Sequence, residues 1–404
     1  MPLPVGSPRR VKLLIAGPDL KPVLPPVTDW KTLDVTAKRN TAGTGTFTAP
    51  ARADLIAAVQ TPGNRVHLYV DDAPWVPGPI EVPGALAVTA SGDNAGGVVS
   101  VTWAGYAAVL GWRDCYADPA HDLAGQTAVQ YAATGNPETL MRTLVNLNAG
   151  PGAVTARQLP GLVLGEPAGI ASPDVSVVTR FDPLSDKLRD IAAAGGDLTF
   201  DVVLRDNPIT GDPELAFMVY APRDLSGSVF FSAGAGNLRG VSTTPASPTA
   251  TVAIVGFTAS GDSPDTTLVE RINTDALGWG RIEKWVASTA TDSSLTAGQK
   301  LQQMQQDGDQ ALATGSESAG LAADVIDDGR IRYRSSYLLG DTVGVRPIPG
   351  VVLADMVTAV HLSGTPKDGL TEVPTIGDGN PSTDVRRARA VRDLDRRLGR
   401  RERS

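Results

Sequence analysis

Three histidines, His67, His121 and His361, are the side chains here best suited to moving protons near neutral pH, and such catalysis needs a nucleophile or carboxylate held beside them. They fall in a strand-like stretch, a loop-like stretch and a second strand-like stretch with no repeated offset, so each reads as a core or surface filler. No Gly-x-Ser-x-Gly elbow and no His-Glu-x-x-His occurs. Gly234-Ala235-Gly236-Asn237-Leu238-Arg239-Gly240 approaches a dinucleotide fingerprint, but its third glycine stands one position late and no clear helix follows, so a flexible loop is expected. Asp206, Asp212 and Glu214 crowd one hairpin loop and could offer oxygens to Ca²⁺; without Asp-x-Asp-x-Asp-Gly spacing, solvated turn acids are the expectation. Asp71-Asp72 and Asp327-Asp328 read as hairpin turns. A glycosidase pair requires a carboxylate separation that sequence does not give, and 5% aromatic residues is low for a sugar cleft. Cys115 is the only cysteine, so neither an intramolecular disulfide nor a cysteine-based zinc site can form. No catalytic residue, metal or cofactor is expected.

The elements that would position any site are mainly β. Gly 43 and Pro 31 in 404 residues exceed average usage and favour short strands and turns over long helices. At 404 residues the chain exceeds the roughly 250 to 300 at which single cores stop growing, so several domains are expected. No signal-peptide pattern and no run of about 18 apolar residues appears, which implies folding in a cytoplasm and no membrane segment.

Residues 1–112 read as a β-rich domain, barrel or sandwich. Val11 to Ala16 pairs with Lys21 to Val27 across Gly17-Pro18-Asp19, Arg65 to Val70 and Val98 to Trp103 alternate, and a helical pattern over Pro50 to Gln60 is the one interruption. Residues 113–240 read as mixed α+β. One helix is capped by Asn136 with Pro137 at its first position, another opens at Asp182-Pro183 and stops at Gly195-Gly196, and a hairpin follows over Leu198 to Leu204 and Leu215 to Tyr220. Residues 241–380 return to strands at Thr251 to Thr258, Gly278 to Val286, Ile331 to Ser336, Asp341 to Arg346 and Met356 to Leu362. Thr296 and Gln299 form a capping box for an inserted helix over 296–313.

The last stretch, 381–404, is rich in arginine. From Asp384 to Ser404, nine arginines against four acids give +5, so the chain's net −8 leaves −13 for the remainder. So acidic a body repels nucleic acid. Arg386, Arg387, Arg389, Arg392, Arg396, Arg397, Arg400 and Arg401 are candidates for docking on an acidic partner, with nonspecific DNA contact or a solvated tail as the other readings.

Several motifs, in this order, carry a family likeness. Phe181-Asp182-Pro183-Leu184 through Ala192 with Gly195-Gly196, then Glu270-Arg271, Gly280-Arg281-Ile282-Glu283-Lys284-Trp285-Val286, and Gln306 to Leu312 come first. Tyr337-Leu338-Leu339-Gly340-Asp341-Thr342-Val343-Gly344-Val345, Val357 to His361 and Pro374 to Gly377 follow. The sequence resembles minor tail proteins of actinobacterial siphophages, a family similar to the tail-associated (Tal) and baseplate hub proteins. The resemblance implies two tube-type β-barrel domains flanking the mixed region, with Asp182, Pro183, Gly280, Glu283, Tyr337, Gly340 and Asp341 as structural motif residues. It further implies a homotrimer in the virion tail tip, assembled in the host cytoplasm. Its partners would be a distal tail or tube protein, other tip proteins and a tape-measure protein, with DNA passing through unbound. A cell-wall glycan hydrolase and a carbohydrate-binding adsorption module are the alternatives.

Overall fold

The computed structural model describes residues 9–87, 97–246, 248–257, 267–288, 296–315 and 318–377. The chain is mainly β and multi-domain, with two large apolar cores and a third small one. Its principal sheet has eleven strands. In order these are Val11–Ala16, Arg65–Val70, Gly78–Ala87, Val98–Ala104, Thr44–Pro50, Thr32–Lys38, Leu353–Thr365, Thr342–Arg346 and Phe230–Ser232, with Ala73–Pro74 and Gly369–Ile376 paired off this path. Alternation in Thr32–Lys38 and Thr44–Pro50 sends Leu33, Val35, Phe47 and Ala49 inward and the threonines outward, the period-two pattern of a half-buried sheet.

Strands from both ends of the sequence therefore share one sheet. Their side chains share one core too: Leu13, Phe47, Leu55 and Trp103 lie in the same cluster as Tyr333, Tyr337, Val343, Val360 and Ile376. Two separate barrels at 1–112 and 241–380 are not what the described residues form. Thr32–Lys38 and Leu353–Thr365 each supply the partner the other's edge needs, and the path ends open at Val11–Ala16 and Phe230–Ser232.

The mixed region has its own core, in which Met141 and Leu144 of helix Pro137–Asn148 and Leu184 and Leu188 of helix Leu184–Ala194 pack on Phe200 and Phe217 of the hairpin Thr199–Asp206/Pro213–Tyr220. The Asn136 side chain accepts from the Thr139 N–H as the sequence implies. Between strands Leu238–Ala246 and Ser318–Val325, themselves paired, lies an inserted unit of three short strands and helix Ala297–Gly315. Thr296 and Gln299 exchange reciprocal hydrogen bonds at that helix start, a completed capping box.

Three sequence expectations need correction. Lys21 to Val27 runs beside Val11–Ala16 through the N–H groups of Val23 and Val27, but Pro22, Pro25 and Pro26 have none to give, so the regular partner is Arg65–Val70. Ile331 to Ser336 is not a strand but a turn with Arg334 at φ 71°, and the bend buries Tyr333 and Tyr337 together. Gly234 to Gly240 is no loose loop. A 3-10 turn, capped by Ser232 and ended by Gly236 at φ 77°, leads into strand Leu238–Ala246.

Candidate functional site

The long strand Leu353–Thr365 takes two segments end to end along one edge: Thr342–Arg346 pairs with residues 353–356, and Thr32–Lys38 with 359–364. The chain ends that meet there make a seam between the two halves of the sequence. Gly340 donates to the Val357 carbonyl, Val357 donates back to the Asp341 carbonyl, and Arg39 donates to the Thr358 carbonyl.

Asp341 is the buried anchor of this seam, 1% exposed. Its Oδ1 accepts from the backbone N–H of Arg223 at 2.9 Å and from Arg223 Nε at 3.1 Å; its Oδ2 accepts from Arg223 Nη2 at 2.5 Å and from the Leu338 N–H at 2.8 Å. A buried carboxylate costs free energy unless its oxygens are hydrogen-bonded, and here both are. The mixed region caps the seam from outside. Arg39 Nε donates to Thr199 Oγ1 at 3.1 Å, its Nη2 reaches the carbonyls of Asp197 and Leu198, and Asn40 exchanges hydrogen bonds with the Leu198 carbonyl and the Phe200 N–H. Gly340, at φ 92°, sits so tightly under Thr199 that a Cβ would overlap its Oγ1. A glycine is required there twice over, by backbone and by space.

A second buried ion cluster joins Arg9, near the start of the described residues, to Glu372 on the last described strand. Glu372 accepts from Arg9 Nη1 at 2.6 Å and from the Tyr333 N–H at 2.5 Å, while Arg9 Nε also reaches Asp71 at 3.0 Å. Burial raises the Glu372 carboxyl against the pull of these donors. Beside it, the Tyr337 hydroxyl is buried without a partner among the described residues, and burial pushes its phenol well above the usual range.

The groups suited to chemistry are used structurally. His67 is buried with Nε2 2.7 Å from the Tyr106 hydroxyl; burial, then Arg65, drops its imidazole to about 4. His121 pairs with Asp118 at 2.8 Å and His361 with Asp34 at 3.1 Å, both near solvent and far apart in the fold. Asp212 is taken by Lys21, and Glu214 by Arg205 and Asn207, so these two acids of the loop bind their neighbours. No group of three or more metal-ligating side chains occurs among the described residues. Burial pushes the Cys115 thiol up to about 12, leaving it a packing group. Asp201 lines a cavity of about 30 Å³ with Tyr333, Arg334 and Leu339, and burial raises its carboxyl to about 6.

The motif residues are thus dispersed. Gly340 and Asp341 meet at the seam, and Tyr337 lies beside the Arg9–Glu372 cluster. Asp182 accepts from Thr179 Oγ1 at 2.9 Å, and Pro183 is the N-cap of helix Leu184–Ala194. Gly280, at φ 89°, ends a 3-10 turn in the inserted unit, and Glu283 begins an exposed strand there. Arg386, Arg387, Arg389, Arg392, Arg396, Arg397, Arg400 and Arg401 lie outside the described residues. Sequence reasoning missed Arg39, Thr199, Arg223, Arg9 and Glu372. Only Glu372 carried a signal, an acid at the inward parity of a strand that also buries Pro374 and Ile376.

The architecture is that of phage tail proteins. The fold matches the tail protein from Neisseria meningitidis MC58 with TM-score 0.53 at 13% identity, covering 92% of this chain and 97% of that one. It matches prophage tail protein gp18 from Listeria monocytogenes EGD-e with TM-score 0.52 at 13% identity, covering 95% and 99%. The 43 kDa tail protein of prophage MuSo2 from Shewanella oneidensis gives 0.50 at 11% identity, covering 91% and 98%. Residues 23–378 match one family, and the chain belongs to it: the Siphovirus ReqiPepy6 Gp37-like proteins. No match was found among curated protein sequences.

Proposed function

We propose that this chain is a structural, non-enzymatic hub of a siphophage tail tip, related to the Tal proteins of actinobacterial phages. Three copies form a ring that continues the tail tube, holds a distal tail or tube protein and other tip proteins, and leaves an acidic passage for DNA. The tape-measure protein would end against it, and assembly would take place in the host cytoplasm. The observation that carries this reading is the single sheet in which both ends of the sequence are locked by the Asp341 seam and the Arg9–Glu372 cluster. Such a frame ties together segments far apart in the sequence through charge-assisted hydrogen bonds. The tube-type barrels then become a property of the assembly, completed where open sheets of neighbouring copies meet. Its family and the tail-protein folds it matches support the reading, as does the use of each histidine in a structural contact.

The test is mass and position. Light scattering of the purified chain with its tail-tube protein should give three copies per ring, and image averages of particles should place it on the tail axis. A chain that stays monomeric with the tube protein and lies off-axis in particles overturns the hub. Release of soluble fragments from host peptidoglycan, abolished by one Asp or Glu substitution, would instead establish an enzyme.

A further inference from the structure

The inserted unit has a three-stranded sheet with Val252–Gly256 in the middle and Leu268–Ile272 and Glu283–Ala287 at its edges. Alternation divides it into two faces. Helix Ala297–Gly315 covers one, where Ala253 packs with Leu312 and Gly308 lies against Val255 and Arg271. That helix in turn leans on the mixed region, with Gln306 Oε1 accepting from the Ser176 N–H at 3.0 Å.

On the other face Val252 and Gly256 of the middle strand are buried, while large apolar side chains of both edge strands stand exposed. Register places Ile254 opposite Trp285, Gly256 opposite Leu268, and Val252 opposite Ile272. Leu268 is 63% exposed, Trp285 54% and Ile272 45%. The Trp285 ring leans over Gly256 to the side of Leu268, since a Cβ on that glycine would meet both. Exposed apolar residues scattered singly are ordinary, whereas a contiguous set on one sheet face marks an interaction surface. At its rim Arg281 joins Glu270 at 2.5 Å and Glu283 at 2.6 Å through one oxygen of each; the second oxygen of each takes no partner among the described residues.

We propose that the chain's own arginine-rich segment, Asp384–Ser404, docks on this face. Its chemistry matches: Val385, Ala388, Val391, Leu394 and Leu398 recur at near-helical spacing among nine arginines, supplying an apolar stripe with guanidinium groups beside it. Its charge matches as well. The segment carries +5, and residues 249–315, with eight acids against four bases, carry −4. Arginine is the side chain suited to the open oxygens of Glu270 and Glu283.

Position allows it. Strand Gly369–Ile376 ends where Gly377 lies against the Leu321 carbonyl, on the strand Ser318–Val325 that leads back out of the inserted unit. Leu321 is three residues from Ser318, about 10 Å of strand. Residues 378–383 can span up to about 20 Å, more than the stretch from Leu321 to Ser318, where the strand leaves the inserted unit. Tethering at that distance gives an effective concentration on the order of mM, so modest contacts suffice. The proposal stands apart from the tail-tip reading, and neither needs the other.

Limited trypsin digestion of the full chain tests it, with mass spectrometry following cleavage after Arg386 to Arg403. Cleavage there should be slow in the native chain. Trp285→Ser and Leu268→Ser should each accelerate it about tenfold, as should 0.5 M salt, which screens the guanidinium–carboxylate contacts. Ile209→Ser, at an apolar residue 92% exposed in another loop, should leave it unchanged. The initial rate should not depend on protein concentration. Equal rates in the native chain and both face variants overturn the proposal. A rate that falls as concentration rises also overturns it, showing that the segment seats on a second copy. Native-like melting of the variants shows that any acceleration comes from the face and not from unfolding.

Discussion

Asp341 accepts from two backbone N–H groups and one guanidinium at the seam. Asp341→Ala leaves the Leu338 and Arg223 amides unpaired, and a loss of ~3 kcal/mol is expected in urea unfolding. Asp341→Asn should cost less, since an amide oxygen still accepts. His67 and Asp201 make stability depend on pH in opposite senses. The imidazole of His67 lies near 4 in the fold against 6.5 free, so its contribution is complete above pH 6.5 and is lost as pH falls through about 4. The carboxyl of Asp201 lies near 6 against 3.8, so its contribution is complete below 3.8 and is lost as pH rises through about 6. His67→Gln, which can still hydrogen-bond Tyr106, should therefore reduce the stability drop between pH 7 and 4.5 by ~2 kcal/mol. Asp201→Asn should do nothing at pH 4 and stabilise at pH 8. Identical pH profiles for the native chain and both variants would contradict these assignments.

At the scale of elements, the seam depends on a turn that only glycine can make. Gly340→Ala meets both a positive φ and the Thr199 hydroxyl, and a cost of ~3 kcal/mol is expected. Adding Thr199→Ala should restore the steric part, up to about half, and leave the backbone part. A double variant no more stable than Gly340→Ala alone would place the strain elsewhere. The inserted helix is a contrasting case. Its start is written locally by Thr296 and Gln299, and its place in the fold comes from Gln306 and its neighbours meeting the strand Val175–Thr179.

For the whole molecule, a shared sheet means shared folding. Residues 9–112 produced alone leave the Thr32–Lys38 edge open and remove Tyr333, Val343, Val360 and Ile376 from the core around Phe47 and Trp103. That fragment is expected to aggregate or to lack a cooperative unfolding transition by calorimetry. A fragment that melts cooperatively as a monomer would show an independent N-terminal domain. The acidic body and basic end segment also belong to this scale, since net charge acts across the entire surface.

Local rules alone determined much of this protein. The Asn136 cap, the Thr296–Gln299 box, the helix opening at Pro183 and the Thr199–Tyr220 hairpin were readable because each depends on residues within a few positions. The predominance of β structure followed from alternation and turn residues, and the order of motifs pointed to tail proteins. Which strands meet was settled by long-range packing. A strand's pattern says which face is buried but not whose edge completes it, so the union of residues 33–38 with 359–364 left no trace in either segment. Arg9 and Glu372, 363 positions apart, found each other for the same reason. Burial makes a charge need a partner, and only the folded chain selects which one.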